Sequence, residues 1–249
     1  LKFTETASRL RGRIEHVLDA ARAAGHRQGE NPARWRGHLD KLLPRRPALS
    51  RGHHAALAFG QVPTLIEKLR AADSMSALAL ELTILTAARS GETLGARWEE
   101  IDLERRVWCV PAARMKAGRE HRVPLSGRAG EILSMLAEGR RSDFVFPGHA
   151  PRKPLSNMAL AMALRRAGFN SVTVHGFRSS FRDWAGEVTS FPREIAEAAL
   201  GHVVGDKAER AYRRGDALEK RRELMEAWGR FCEPQMAANV VPFRGETRT

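Results

Sequence analysis

The stretch Thr173-Val174-His175-Gly176-Phe177-Arg178-Ser179-Ser180-Phe181-Arg182-Asp183-Trp184 decides how the rest of the chain is read. Phe177, Phe181 and Trp184 recur at the spacing of an α-helix and form one apolar stripe, which reads as core packing and not as a platform for stacking bases. His175 and Arg178 are three apart, so on a helix their polar heads project beside that stripe as neighbours able to converge on one ligand. A second helix is expected from Pro192, a residue suited to a first turn, through Ile195, Ala198 and Leu200 to Gly201 and His202. Ten residues beyond His202 stands Tyr212, the only tyrosine of the protein, followed by Arg213 and Arg214.

Upstream of this stretch the pattern is largely helical. Leu10, Ile14, Val17, Leu18 and Ala21 recur at helical spacing after Thr6 or Ser8, and Gly25 is suited to end that helix. A basic segment follows from Asn31 to Leu43, and residues 44–60 read as a linker, with Pro44, Pro47, Gly52 and the pairs Arg45, Arg46 and His53, His54. Pro63 opens a helix carrying Leu65, Ile66 and Leu69, and Ser74 or Ser76 caps a longer one over residues 75–88. That helix runs into Thr86-Ala87-Ala88-Arg89, and a new one starts at Ser90-Gly91-Glu92, so Arg89 falls at a junction where a side chain can be aimed into a cleft. Residues 106–110 and 121–125 read as a β-hairpin with Lys116 in the basic turn between them. Helices are expected over residues 129–137 and 156–167 and at the end, where Leu218, Leu224, Met225, Trp228 and Phe231 are amphipathic; residues 236–249 lack periodicity and read as a mobile tail. The sum is a mainly α fold with a small antiparallel β-sheet.

The charge says what such a fold meets. Across 249 residues, 42 Lys and Arg face 29 Asp and Glu, a net charge of +13, which calls for a polyanionic partner. The longest apolar run, Leu78 to Ala88, contains Glu81 and is too short to span a bilayer, so nucleic acid is favoured over membrane. The basic residues are spread along the chain, as a groove tracking phosphates requires. Cys109 and Cys232 are far apart and outside metal-site spacing, which fits a reducing cytoplasmic setting without a disulfide framework or metal. The start at Leu1, without methionine and partway into a helical pattern, reads as a piece of a longer protein.

Read singly, these residues are bland: a cation after a helix, a structural histidine, a histidine at a helix end, a solvated turn lysine. Together they form a phosphodiester-attacking set. Attack places extra negative charge on the nonbridging oxygens, which Arg89 and Arg178 can meet with planar, permanently charged forks. His175 and His202 can donate to the same oxygens or help remove the phenolic proton of Tyr212. Lys116 can protonate the leaving oxygen, with Arg119 or Arg122 the alternative hairpin contact to phosphate, and Glu92 is suited to orient Arg89 by an ion pair.

The set resembles the tyrosine recombinases, or phage-type integrases, over roughly residues 61 to 232: Thr86-Ala87-Ala88-Arg89-Ser90-Gly91-Glu92, Lys116 on the hairpin, His175-Gly176-Phe177-Arg178, Leu200-Gly201-His202 and Tyr212. Ser179 stands where many relatives carry a second histidine. The resemblance implies the DNA breaking-rejoining catalytic fold over residues 61–235, preceded at residues 1–43 by the end of a helical core-binding domain. It also implies a 3′-phosphotyrosyl intermediate on double-stranded DNA without cofactor, metal or ATP, a homotetramer on two duplexes, and accessory DNA-bending or directionality factors, in the bacterial cytoplasm at the nucleoid. A type IB topoisomerase would share the chemistry without strand exchange, and a non-catalytic DNA-binding protein would keep the charge but tolerate loss of Tyr212.

Overall fold

In a computed structural model the described residues are 4–43, 55–150, 152–202 and 215–234. Tyr212, the first part of the expected linker and the tail beyond residue 234 lie outside them. Contacts divide the chain into two compact units, Leu1–Arg51 and Gly52–Thr249.

In the first unit, α1 (Thr4–Ala23) is stopped by Gly25 at φ +78°, with Gly25 N donating to Arg22 O (3.1 Å) and His26 N to Ala21 O (2.9 Å). The chain then returns along the helix. Buried Asn31 donates to Glu15 O (2.8 Å) and Asp19 Oδ1 (2.7 Å), and the Arg11 guanidinium lies 5.5 Å from the Trp35 ring centroid. A three-residue turn of helix, α2 (Asp40–Leu42), follows. Leu10, Ile14 and Val17 of the predicted apolar stripe are exposed, because among the described residues of this unit no second long helix packs on α1.

The second unit is built around α4 (Met75–Leu85), which is buried on every side and carries one charged residue. Ser74 caps it by accepting from Ala77 N (3.3 Å). Its one charge, the buried Glu81 carboxylate, is paired with Arg70 (2.8 Å) on α3 (Val62–Ala71) and Arg128 (2.9 Å) on α6 (Gly127–Glu138), as a desolvated ion requires. After α5 (Ser90–Leu94) comes a three-stranded antiparallel sheet of β1 (Ile101–Asp102), β2 (Val107–Val110) and β3 (His121–Pro124). Trp108 pairs with Val123 and Val110 with His121, so the predicted hairpin is present. The edge strand β1 went unread because two residues carry no periodic signal.

Beyond α7 (Ala159–Arg166), α8 (Phe177–Val188) turns Phe177, Phe181 and Trp184 into the core as the spacing predicts. After α9 (Arg193–Ala199), the last described helix, α10 (Leu218–Cys232), inserts Trp228 between α4 and α8. Its ring lies 5.5 Å, edge-on, from Phe181 and 4.9 Å from Trp184, and its Nε1 donates to Ile84 O (2.9 Å). Truncating so buried a ring costs about 3–5 kcal/mol. Residues 55–57, within the expected linker, pack along the start of α8: Ala55 O accepts from Thr173 N (2.9 Å) and Leu57 O accepts from Ser180 Oγ.

Candidate active site

Arg89 is placed by the way α4 ends. Thr86 Oγ1 donates back to Leu82 O (2.6 Å), and Ala87 adopts φ +50°, a left-handed conformation costing a side-chain-bearing residue roughly 1–2 kcal/mol. The chain is thereby redirected so that Arg89 becomes the extended N-cap of α5. Glu92, one turn on and 5% exposed, accepts from Arg89 N (2.8 Å) and from its guanidinium (2.7 Å). It orients the arginine, as its spacing predicts.

Arg178 reaches the same place from the first turn of α8. Its Nη1 donates to Ala87 O (2.6 Å), which supports the strained residue, and its Nη2 donates to Leu200 O (2.6 Å) and lies 3.0 Å from His202 Nε2. The residue is 6% exposed. Burial, with the like charge of Arg89 second, lowers its pKa to about 10 against the opposing pull of Glu92 and Glu197. It stays charged at neutral pH. Two cations held together in a partly dry pocket, each fixed by a second set of bonds, form a prebuilt anion site.

His202 is delivered by the end of α9. Gly201, at φ +64°, donates to Ala198 O (3.0 Å), and His202 N donates to Glu197 O (3.0 Å), the paired bonds of a Schellman cap. The imidazole then stands between Arg178 on its Nε2 side and Glu197 Oε2, 2.6 Å from Nδ1. A Cβ on Gly201 would sit 3.2 Å from Met115 Cε and 3.5 Å from the His121 ring, so the hairpin backs directly onto this turn. His121 Nε2 lies 3.2 Å from Ala199 O, and burial plus the Arg221 cation lower its pKa to about 4.

Lys116 follows buried Met115 in the exposed turn between β2 and β3. The turn is tied inward by Arg114, which donates to Glu92 O and is paired with Glu100. His175 differs from its expected place. It lies in the 3-10 turn Val174–Gly176 ahead of α8 instead of on the helix with Arg178, because Thr173 Oγ1 accepts from Gly176 N (3.1 Å) and caps the chain there. Close approach of the linker fixes that turn as well: a Cβ on Gly176 would meet Ala55 O at 2.3 Å.

Of the six residues singled out from sequence, Arg89, Arg178 and His202 converge, Lys116 sits on a turn that borders them, and His175 precedes Arg178 on an exposed turn. Tyr212 lies outside the described residues; Asp216, four positions later, is clasped by Arg122 of β3 (2.9 and 2.5 Å) and by buried Arg221 of α10 (2.5 Å). Sequence reading missed Glu197, Arg114 and Asp216. For Glu197 a signal existed: it stands five residues before a Gly-His helix end, the position a Schellman cap brings against the histidine.

A family profile described as "Phage integrase family" matches residues 56–218, and "Phage integrase central domain" matches residues 2–38. The chain belongs to the phage integrase family. Among the integrases it resembles is prophage integrase IntA of Escherichia coli K12, 40% identical over 188 residues, or 73% of this chain and 45% of that protein. Prophage integrase IntZ of the same strain is 35% identical over 247 residues, 97% of this chain and 59% of that protein. The chain therefore spans about half the length of these relatives. The integrase fold is also seen in the integrase from mycobacterium phage Brujita (TM-score 0.54, 22% identity, 91% of this chain and 71% of that one). A lambda integrase dimer bound to a COC′ core site matches likewise (TM-score 0.55, 22% identity, 83% and 58%). Among the described residues of this chain, no helix is long and apolar enough to cross a membrane.

Proposed function

We propose that this chain is the DNA-cutting portion of a tyrosine-type site-specific recombinase that inserts or excises a mobile element. The observation that carries the reading is the convergence of Arg89, Arg178 and His202, each held by a buttressing group, within a chain of the phage integrase family. The Tyr212 phenol oxygen attacks a backbone phosphorus while its proton passes to an imidazole. Arg89 and Arg178 hold the two nonbridging oxygens, His175 donates to one of them, and the bond from phosphorus to the 5′ oxygen breaks as Lys116 gives that oxygen its proton. The DNA is left as a 3′-phosphotyrosyl ester with a free 5′-hydroxyl. Because the ester keeps the energy of the broken bond, attack by the 5′-hydroxyl of a partner duplex reverses the chemistry without an external energy source.

The substrate is double-stranded DNA, in keeping with the net charge of +13 and with the DNA-bound lambda integrase relatives. A solved lambda integrase tetramer bound to a Holliday junction (TM-score 0.54) supports assembly of four protomers on two duplexes. Residues 1–43, of which 2–38 match the central-domain profile, serve as the end of a helical core-binding domain that contacts the DNA. The setting is the cytoplasm of a bacterium at its nucleoid, where DNA-bending partners assist.

The test is a nicked suicide duplex carrying the cognate site, from which the short fragment bearing the free 5′-hydroxyl escapes after cleavage. The full protein is expected to form a covalent adduct mapping by mass to Tyr212, and Tyr212→Phe to form none. An adduct on another residue, or none from the intact protein on its cognate site, overturns the reading. Strand exchange between two duplexes separates recombination from topoisomerase-like relaxation.

A further inference from the structure

His202 faces two groups of opposite character, and which of its nitrogens carries the proton follows from them. On one side Nδ1 lies 2.6 Å from Glu197 Oε2. On the other, Nε2 lies 3.0 Å from Arg178 Nη2, a guanidinium nitrogen that can only donate. Glu197 is secured as a carboxylate: Arg182 of α8 reaches its Oε1 at 2.9 Å and Arg193 at 3.9 Å. Burial alone would raise its pKa, but the bond from His202 and the two arginines hold it below the ordinary carboxylate range. A carboxylate can only accept, so the proton between it and the ring belongs to Nδ1.

We propose that Glu197 is a positioning residue for the cleavage reaction, fixing His202 as the Nδ1–H tautomer and leaving the Nε2 lone pair facing the Arg89–Arg178 anion site. The inference rests on the recombinase reading and assigns a direction to one of its proton transfers. A neutral ring so held cannot donate to a phosphate oxygen from Nε2; it can accept. The Nε2 lone pair gives up its hydrogen bond from Arg178 Nη2 and takes the phenol proton of Tyr212 as the oxygen–phosphorus bond forms, the phosphorus–O5′ bond breaks, and O5′ takes its proton from Lys116. Only then does the imidazolium have an Nε2–H to offer the phosphate. The same logic orients histidines elsewhere, where a carboxylate on the far nitrogen selects the tautomer and rotates the ring.

Two features make the arrangement specific to this pair. Backbone and side chain of His202 are both tied to Glu197, through His202 N to Glu197 O (3.0 Å) and through Nδ1. A Schellman cap brings together the residues five apart, and the contact there is commonly apolar; here it is an imidazole and a carboxylate. Removing the carboxylate leaves the backbone bonds of the cap in place, so ring orientation separates from folding.

The experiment uses the full chain labelled with 15N-histidine, with the His202 signal assigned by its loss in His202→Gln. Long-range proton–nitrogen spectra are expected to place His202 as the Nδ1–H tautomer. In Glu197→Gln, whose amide can pair with either tautomer, the Nδ1–H preference is expected to weaken, with only the Arg178 donor left to favour it. Cleavage of the suicide duplex should fall roughly 10- to 100-fold, the loss typical of removing a group that orients a functional histidine, with DNA affinity within about two-fold of wild type. Glu197→Asp, which keeps the charge but shortens its reach, is expected to lie between the two in both readouts and serves if Glu197→Gln folds poorly. An Nε2–H tautomer in the wild type, or a Gln variant whose tautomer or cleavage matches wild type, overturns the proposal. A wild type that forms no adduct at all fails the recombinase reading, while the tautomer spectrum still decides what Glu197 does to the ring.

Discussion

At the scale of the residue, the candidate site is a set of side chains whose neighbours matter as much as they do. Arg178 illustrates this: the fork that would meet phosphate also closes bonds to the Ala87 and Leu200 carbonyls. Arg178→Lys keeps the charge and loses the geometry, and slower cleavage by roughly 100- to 1000-fold is expected from the loss of an oriented donor. The same substitution leaves two buried carbonyls short of a partner, costing roughly 1–3 kcal/mol for each group; suicide-duplex kinetics and urea unfolding measure the two effects separately. Gly201 is the second case. At φ +64° a side chain is strained, whereas its nearest obstruction, the flexible end of Met115, can give way. Gly201→Ala should therefore destabilise by about 1–2 kcal/mol through backbone strain, visible as a melting point lower by a few degrees. Arg89, Arg178 and His202 were legible because each sits in a local pattern: a helix junction, a three-residue spacing, a glycine helix end. Asp216 was not, because a carboxylate that orients a partner has the same local sequence as one that is merely solvated; for Glu197 the one signal was its place five residues before the Gly-His helix end.

Elements add a coupling that single residues do not have. The β2–β3 hairpin carries Lys116 at its turn, backs His121 onto the His202 turn, and binds the start of α10 through Arg122. His121 contributes a pH dependence of known sign. Its folded pKa is near 4 and its unfolded value near 6.5, so between those values the unfolded chain binds the extra proton and stability declines as pH falls. Over the whole window the loss approaches about 3 kcal/mol. Glu197 and Asp216, held below ordinary carboxylate values, begin to lose their contribution only as pH falls toward those values, so their window meets that of His121 only at its lower end. Denaturant unfolding at pH 7.5, 5.5 and 4.5 is expected to show a decline in the wild type that His121→Asn flattens. Arg221, 1% exposed, donates to Asp216 O, Asp216 Oδ2 and Arg122 O, tying α10 to the hairpin. Arg221→Ala removes the donor shared by the Asp216 and Arg122 carbonyls while Arg122 still pairs with the Asp216 carboxylate, and should cost roughly 1–3 kcal/mol in the same assay. The hairpin and its helices were readable from alternation and caps. The fastening between them was not, because it joins residues about a hundred positions apart.

For the whole molecule the governing quantity is charge. With +13 spread along the chain, binding to random-sequence DNA is expected to weaken steeply with salt, the logarithm of affinity falling by about 0.9 per phosphate neutralised for each tenfold rise in salt. A titration from 50 to 300 mM salt checks this, and an affinity indifferent to salt would contradict a phosphate-tracking groove. Charge, family and helical class were all visible in the composition and spacing. What escaped was the packing of residues 55–57, because Pro, Gly and paired basic residues read as a tether. Ala55 and Leu57 lend their carbonyls to Thr173 and Ser180, and Gly176, lacking a Cβ, leaves room for the backbone of Ala55 and Ala56. A practical consequence is where to cut. A recombinant piece begun at residue 61 would strip these acceptors from beneath the His175 turn and yield a weaker, less active protein. One begun at residue 52 would carry its own keystone.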